Sequence, residues 1–178
     1  NSLFKELFFS SFKIPSPYCY RCPLGKRGRS FCNLDCIHPL EAILKKRHDE
    51  IAALILEPII MAAGGMIVYP KEYLSRAAKL AKNYGVHLIL DEAATGFGRT
   101  GKMFACSHVN IDPDFICLAK GITAGYLPLG VTMTTEDIYD AFYADHRERK
   151  TFYHGHTYTA NPVSCSAGLA SLEVFEEE

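Results

Sequence analysis

The sequence predicts an α/β fold in which a mostly parallel sheet is flanked by helices. Apolar runs of strand length alternate with segments of helical periodicity along the chain. The first run, "IAALIL" at 51–56, is hydrophobic on every side, which is typical of a strand covered on both faces of a parallel sheet. No internal repeat or low-complexity linker interrupts the alternation, so we predict a doubly wound α/β layer.

Three helices are predicted around these runs. Residues 38–50 carry apolar side chains at helical spacing. Residues 70–84 begin with a proline, which suits a first helical turn, and Gly85 follows as a C-terminal stop. A third helix is predicted at 136–145, with a cap at 134–137. The intervening runs "VHLIL" and "PDFICLA" are the second and third predicted strands.

The two ends of the chain have a different character. Residues 1–37 are rich in proline, aromatic and basic residues, so we predict a peripheral strand followed by a long loop. The chain opens on Asn1 rather than methionine and ends at "FEEE" directly after an amphipathic stretch. We therefore expect the chain to be part of a longer protein.

Composition limits the classes of function. With 178 residues, 48% of them hydrophobic, and a net charge of -1, the chain can bury one sizeable core and has no excess of positive charge. We therefore expect no nucleic-acid partner. No apolar run approaches the ~18 to 20 residues of a membrane span. We expect a cytoplasmic protein with no membrane partner.

Four cysteines crowd into one early segment, "CYRCPLGKRGRSFCNLDC". Cys19 and Cys22 are separated by two residues, and Cys32 and Cys36 by three, which would suit four thiolates around a zinc ion. A surface loop with reduced thiols and a disulfide-bonded loop are the alternatives. The spacing alone does not decide between them.

Charged residues follow each of the three predicted strands. Glu57, Asp91 and Lys120 stand at or just after the ends of these apolar runs. Because the carboxyl ends of parallel strands lie along one edge of a sheet, where such folds bind ligands, we expect these side chains to lie at one edge. A structural ion pair and a ligand site are both compatible with this pattern.

Three successive stretches carry a resemblance to a known family: "LILDEAATGFGRTGKMFACSH", "PDFICLAKGITAGYLPLGVTMTTEDIY" and "TFYHGHTYTANPVSCSAGLASLEVF". In this order they resemble the motifs of the class III aminotransferases, enzymes of the type I pyridoxal-phosphate fold. The resemblance implies that residues 1–178 are the central portion of the large cofactor-binding domain of a homodimer. The family's upstream phosphate loop, stacking aromatic residues and C-terminal arginine have no counterpart here.

The resemblance also implies roles for individual residues. Asp91 matches the carboxylate beside the ring nitrogen of pyridoxal 5'-phosphate, and Lys120 matches the lysine that holds the cofactor as a Schiff base and is displaced by the substrate amine. Gly155 is placed at the substrate, and His156 with Thr157 at the cofactor phosphate, reached from the partner subunit. No metal site is implied.

The carboxylates beside these residues have less direct expected roles. Glu92 is expected to support the glycine-containing loop after it through hydrogen bonds rather than to contact the cofactor. Glu57 matches an acid near the cofactor site, although a simple strand-end charge explains it equally well.

Within the family, the sequence is most similar to the branch that acts in biotin synthesis. This implies transfer of an amino group from S-adenosylmethionine to 8-amino-7-oxononanoate, giving 7,8-diaminononanoate, with lysine as the other candidate donor. A class III enzyme for omega-amino acids is the main alternative, but glutamine would then be expected in place of Ala94. A non-catalytic zinc module is the alternative from another class. We expect the isolated chain to be inactive.

Overall fold

A computed structural model describes residues 2–26 and 32–177. The helices in these ranges are α1 His38–Arg47, α2 Lys71–Asn83, α3 Glu136–Asp140 and α4 Pro162–Glu177, with short 3-10 turns between them. The strands are β1 Ala53–Leu56, β2 Ile60–Met61, β3 Ile67–Val68, β4 His87–Asp91, β5 Phe115–Leu118 and β6 Val131–Thr134.

The main sheet has the strand order β1-β4-β5-β6. Strands β1, β4 and β5 run parallel, with Ala53 opposite His87 and Asp91 opposite Cys117. Strand β6 pairs with β5 in the antiparallel direction, and β2 and β3 form a separate small hairpin. The predicted α/β fold with a mostly parallel sheet is confirmed.

Helix α2 illustrates how the sequence produces the core. Its apolar residues recur at helical spacing, so Tyr73, Leu74, Ala77 and Ala81 fall on one face and are fully buried. The helix ends where Gly85 adopts a left-handed φ of 66°, which costs glycine no steric strain. That face packs with α1 and β4 into the main hydrophobic core. The first two predicted helices are confirmed, although the regular part of the first ends at Arg47.

Strand β1 departs from its expected environment. It lies at the edge of the sheet rather than inside it, and Ile55 is 61% exposed. The prediction that this strand is covered on both faces is therefore wrong for the described part of the chain. The peripheral strand predicted in residues 1–37 is also wrong within residues 2–26 and 32–37, where a 3-10 helix Ser2–Leu7 precedes extended chain without strand pairing.

The segment after β5 also differs in detail. Helix α3 ends at Asp140, and turns replace the rest of the predicted longer helix. Its N-cap residue, Thr135, makes no side-chain capping hydrogen bond. The hydroxyl of Thr134 instead donates to the Asp114 carbonyl oxygen at 3.0 Å, across the β5–β6 pair. Of the helices in the described ranges, none combines the length and apolar character needed to cross a bilayer.

Candidate active site

The strand-end charges lie at one edge of the sheet, as the sequence predicts. Asp91 is the last residue of β4, and Lys120 follows the neighbouring strand β5 by two residues. The two strands are parallel and paired, with Asp91 opposite Cys117, so both residues stand at the carboxyl edge. Glu57 follows β1, which pairs with β4 on the other side.

Asp91 and Lys120 do not neutralise each other. Oδ1 of the half-buried Asp91 accepts a hydrogen bond from the Ala93 N–H at 3.0 Å. Within residues 2–26 and 32–177, Oδ2 of Asp91 has no partner, and the exposed amine of Lys120 makes neither a hydrogen bond nor an ion pair. The structural ion pair left open by the sequence does not form in this part of the chain, and both groups remain available to a ligand.

Glu57 serves the loop that follows its strand. Its Oε2 accepts from the Ala62 N–H at 2.8 Å, and its backbone carbonyl accepts from the Tyr69 hydroxyl at 2.6 Å. Burial raises the pKa of that tyrosine, so its hydroxyl stays protonated and continues to donate. These contacts give Glu57 a local structural role.

Lys120 opens into a cavity of about 1160 Å³. One wall consists of residues 125–130 together with Thr132 of β6. The rest of the lining comes from an exposed segment and the start of α4, and it includes Phe152, His154, His156 and Tyr158. Of the residues predicted for the site, the structure therefore brings Lys120 and His156 to one cavity. Gly155, Thr157 and Asp91 do not line it.

His156 is oriented by a tight turn. Its backbone N–H donates to Thr159 Oγ1 at 3.0 Å, and the Tyr158 N–H donates to its ring Nδ1 at 3.1 Å. Because Nδ1 accepts, the neutral ring carries its proton on Nε2. At the start of α4, Asn161 Oδ1 accepts from the Val163 and Ser164 amides at 2.9 and 3.3 Å, so these two amides are already occupied.

Glu92 supports the neighbouring loop, as predicted. It is completely buried and accepts hydrogen bonds from the Thr95 hydroxyl at 2.5 Å, the Ala105 N–H at 3.0 Å and the Cys106 N–H at 2.8 Å. The carboxylate thereby ties both ends of residues 92–106 together. Burial, followed by the charge of Glu92, raises the pKa of the Cys106 thiol to about 11.

Sequence reasoning missed Thr132 as a wall of the cavity. Its position follows from the antiparallel strand β6, in which Thr132 pairs with Cys117. The alternation "VTMT" carried a weak strand signal that the surrounding glycine and proline residues obscured.

The early cysteines form a separate feature. Cys19, Cys22 and Cys32 line a second cavity of about 340 Å³ together with Lys26 and Arg76. No disulfide bond joins cysteines within residues 2–26 and 32–177, so the disulfide alternative is absent from this part of the structure. Among the described residues, no three His, Cys, Asp or Glu side chains are arranged to hold a metal ion. The zinc interpretation therefore gains no support from the geometry there.

The fold and the site define a class of protein. An amine and a carboxylate oxygen that have no partner among the described residues, presented at the ends of adjacent parallel strands, are typical of an α/β enzyme domain with a ligand at the carboxyl edge. A family model described as Aminotransferase class-III matches residues 6–178. The chain belongs to the class III aminotransferase family.

Similarity to characterised relatives covers nearly the whole chain. It is 47% identical, over all 178 residues, to the adenosylmethionine-8-amino-7-oxononanoate aminotransferase of Geobacter sulfurreducens. The crystal structure of the enzyme of that name from Methanocaldococcus jannaschii superposes on 99% of the chain, with a TM-score of 0.85 and 42% identity, and the chain covers 38% of it. An amine transaminase from an uncultivated Pseudomonas species, in its PLP-bound form, matches 99% of the chain and has 41% of its own length covered, with a TM-score of 0.84 and 37% identity.

The chain matches only part of the length of each of these relatives. The chain spans 39% of the length of the Geobacter sulfurreducens enzyme. Because the similarity covers nearly the whole of this chain, it establishes the family and the type I pyridoxal-phosphate fold of this chain.

Proposed function

We propose that this chain is the central portion of the large domain of a homodimeric, cytoplasmic, pyridoxal-phosphate-dependent aminotransferase. The enzyme transfers an amino group from S-adenosylmethionine to 8-amino-7-oxononanoate, giving 7,8-diaminononanoate for biotin synthesis. One observation carries the proposal: at the ends of neighbouring parallel strands, the Lys120 amine and Oδ2 of Asp91 have no partner in the part of the chain that the structure describes. The names of relatives at 47% and 42% identity support the choice of substrates.

The residues at this edge fit pyridoxal phosphate. The cofactor needs an amine that can bond to it, a carboxylate beside its ring nitrogen and donors for its phosphate. Lys120 would supply the amine, and Oδ2 of Asp91 would supply the carboxylate oxygen. The Nε2–H of His156 would supply a donor to the phosphate from the partner protomer, as the family resemblance implies. When bound, the cofactor withdraws electrons from the substrate carbon that bears the amine.

Asp91 acts through its charge. A carboxylate close to a ring nitrogen favours the protonated form of that nitrogen, which strengthens the electron-withdrawing capacity of the ring. The hydrogen bond from Ala93 N–H to Oδ1 fixes the carboxylate at the strand end. Because the side chain is already held, Oδ2 need not move when the cofactor binds.

Lys120 has two tasks. Its amine would hold the cofactor, and the same amine would carry a proton to and from the substrate carbon. Both tasks require an amine without a fixed partner, and the Lys120 amine has none among the described residues. Its position two residues after β5 gives it a rigid base and a mobile end.

The exposed segment with His156 completes the site. The family resemblance assigns Gly155 to the substrate; a Cβ at this position would make an ordinary contact with Thr159 Oγ1 at 3.8 Å. Thr157 does not line the cavity of its own chain. As the family resemblance implies, its hydroxyl would donate a hydrogen bond to the phosphate held by the partner protomer. The site is thus shared between two copies, and the homodimer is the functional unit.

A donor panel on the full-length enzyme tests the proposal. With 8-amino-7-oxononanoate as acceptor, S-adenosylmethionine is expected to support turnover, while lysine and omega-amino acids are not. Lys120→Ala is expected to abolish turnover, and Asp91→Asn to keep cofactor but lose most activity, because a neutral amide no longer favours the protonated ring nitrogen. Turnover with an omega-amino acid alone would favour the other class III function. Full activity in either variant would contradict the assigned roles.

A further inference from the structure

Lys120 has an unusual backbone conformation. Its φ is 49°, in the left-handed region that side-chain-bearing residues rarely adopt. It begins the 3-10 turn Lys120–Thr123, which follows β5 directly. Such a conformation persists only where the surroundings determine it, and it is concentrated at functional sites. The neighbours of this turn therefore decide where the Lys120 amine points.

Phe97 is the closest of these neighbours. A Cβ built on Gly121 would lie 2.7 Å from Phe97 Cβ and 3.1 Å from its ring atom Cδ2, so only glycine allows this approach. Phe97 itself has a left-handed φ of 56°. Two strained residues thus meet across one glycine, directly beside the lysine.

Phe97 is held firmly in the loop 92–106. Its N–H donates to the Met103 carbonyl oxygen at 2.7 Å, and its ring meets Phe104 edge-on at 5.9 Å between centroids. The buried Glu92 carboxylate ties the ends of the same loop together. The surface offered to Gly121 is therefore fixed by the chain before any ligand binds.

The opposite side of the turn packs against α4. Ser171 Oγ reaches the Gly121 carbonyl oxygen at 3.5 Å, and a Cβ on Gly168 would come within 3.2 Å of Leu129 and 3.7 Å of the Ile122 carbonyl oxygen. Phe175 of α4 also touches the Phe97 ring, with centroids 6.2 Å apart. The Lys120 turn is consequently enclosed between α4 and Phe97.

We infer that Phe97 is a positioning residue for Lys120: its contact with Gly121 holds the left-handed backbone that directs the lysine amine into the cavity. This inference rests on the proposed function of Lys120 as the cofactor lysine. Phe97 does not line the Lys120 cavity and acts through the Gly121 backbone.

The test compares Phe97→Ala with Phe104→Ala in the full-length enzyme. Both remove one ring from the same aromatic pair, but only Phe97 contacts Gly121. Two quantities are measured: amide hydrogen exchange of residues 120–124 without cofactor, and borohydride trapping of pyridoxal phosphate on Lys120, quantified by mass spectrometry. Phe97→Ala is expected to speed exchange and weaken trapping by about tenfold each, whereas Phe104→Ala changes both less than threefold.

A compensating pair keeps the inference testable if Phe97→Ala unfolds. Gly121→Ala places a Cβ against Phe97 Cβ and is expected to weaken trapping by more than tenfold. Adding Phe97→Gly relieves that clash but does not restore the Phe97 contact, so the double variant is expected to remain about tenfold below the wild-type enzyme in trapping. Trapping at the wild-type level in the double variant, or equal effects of Phe97→Ala and Phe104→Ala, would overturn the inference. Absence of trapping on Lys120 in the wild-type enzyme would instead refute the proposed function.

Discussion

Two segments border Lys120, and they are stabilised in opposite ways. The loop 92–106 is anchored by a fully buried carboxylate, Glu92, whose hydrogen bonds join its two ends. The segment 151–160 is exposed along its whole length. Within the described residues its hydrogen bonds are short-range, such as His156 N–H to Thr159 Oγ1, and the Phe152 ring packs on Phe142 with centroids 5.3 Å apart. We refer to them as the anchored loop and the exposed segment.

The difference indicates which half of the site the chain can build alone. The anchored loop gains its shape from contacts within the chain, so its support of Lys120 is preorganised. The exposed segment presents Phe152, Tyr153 and Tyr158 at 64%, 84% and 73% exposure. In the proposed homodimer these side chains meet the partner protomer, and the exposed segment acquires its final shape there.

The largest expected effect concerns this dependence on the rest of the enzyme. The isolated 178-residue chain is expected to bind pyridoxal phosphate weaker by orders of magnitude than the full-length dimer, and to show no turnover. Losing two or three charge-assisted hydrogen bonds to the phosphate costs ~1.5 to 3 kcal/mol each. Cofactor titration of both proteins measures this, and equal affinities would show that the exposed segment needs no partner.

The next largest effect is expected for Glu92→Gln, which lowers the stability of the anchored loop. The amide keeps one acceptor oxygen and turns an NH₂ group toward a backbone N–H, so a buried donor loses its partner. We expect a loss of about 3 kcal/mol in the free energy of unfolding. The midpoint of thermal denaturation of the full-length enzyme reports it.

Asp91→Asn is the matched control, because it makes the same chemical change one residue earlier. Its amide oxygen can still accept from the Ala93 N–H, so we expect less than about 1 kcal/mol of destabilisation together with the loss of activity. If the two variants were destabilised equally, the distinction between a structural and a catalytic carboxylate would fail.

The sequence predicted the anchored side of this comparison better than the exposed side. Asp91 and Lys120 were found because apolar strands end in charge, and Glu92 was assigned to the loop on the resemblance. The burial of β1 was mispredicted, because apolar composition shows what a strand can pack against and not whether a neighbour is present. Thr132 was missed since the pairing partner of a short polar strand is a long-range property.

Cys106 gives the anchored loop a pH dependence. Burial raises its pKa from 9.0 to about 11, so the folded state favours the neutral thiol. The resulting stabilisation is complete below pH 9 and is lost as pH rises through 11, with a magnitude on the order of 2 kcal/mol. Between these pH values, the wild-type protein is expected to lose more stability than Cys106→Ala in denaturant titrations. Parallel profiles for the two proteins would contradict this.

The smallest effect is expected in the exposed segment. Tyr158→Ser in the isolated chain removes a ring that is 73% exposed, so the free energy of unfolding should change by less than about 0.5 kcal/mol. In the full-length enzyme the same substitution is expected to weaken dimer association, measured by sedimentation at low concentration. A large stability loss in the isolated chain would mean that the exposed segment is anchored after all.

The attachment point of the cofactor tests the central claim most directly. Full-length enzyme is incubated with pyridoxal phosphate, reduced with borohydride, digested and mapped by mass spectrometry. The unpaired amine at the end of β5 predicts one dominant modified residue, Lys120, and its loss in Lys120→Ala. Modification of another lysine, with Lys120 unmodified in the wild-type enzyme, would contradict the assignment of the site.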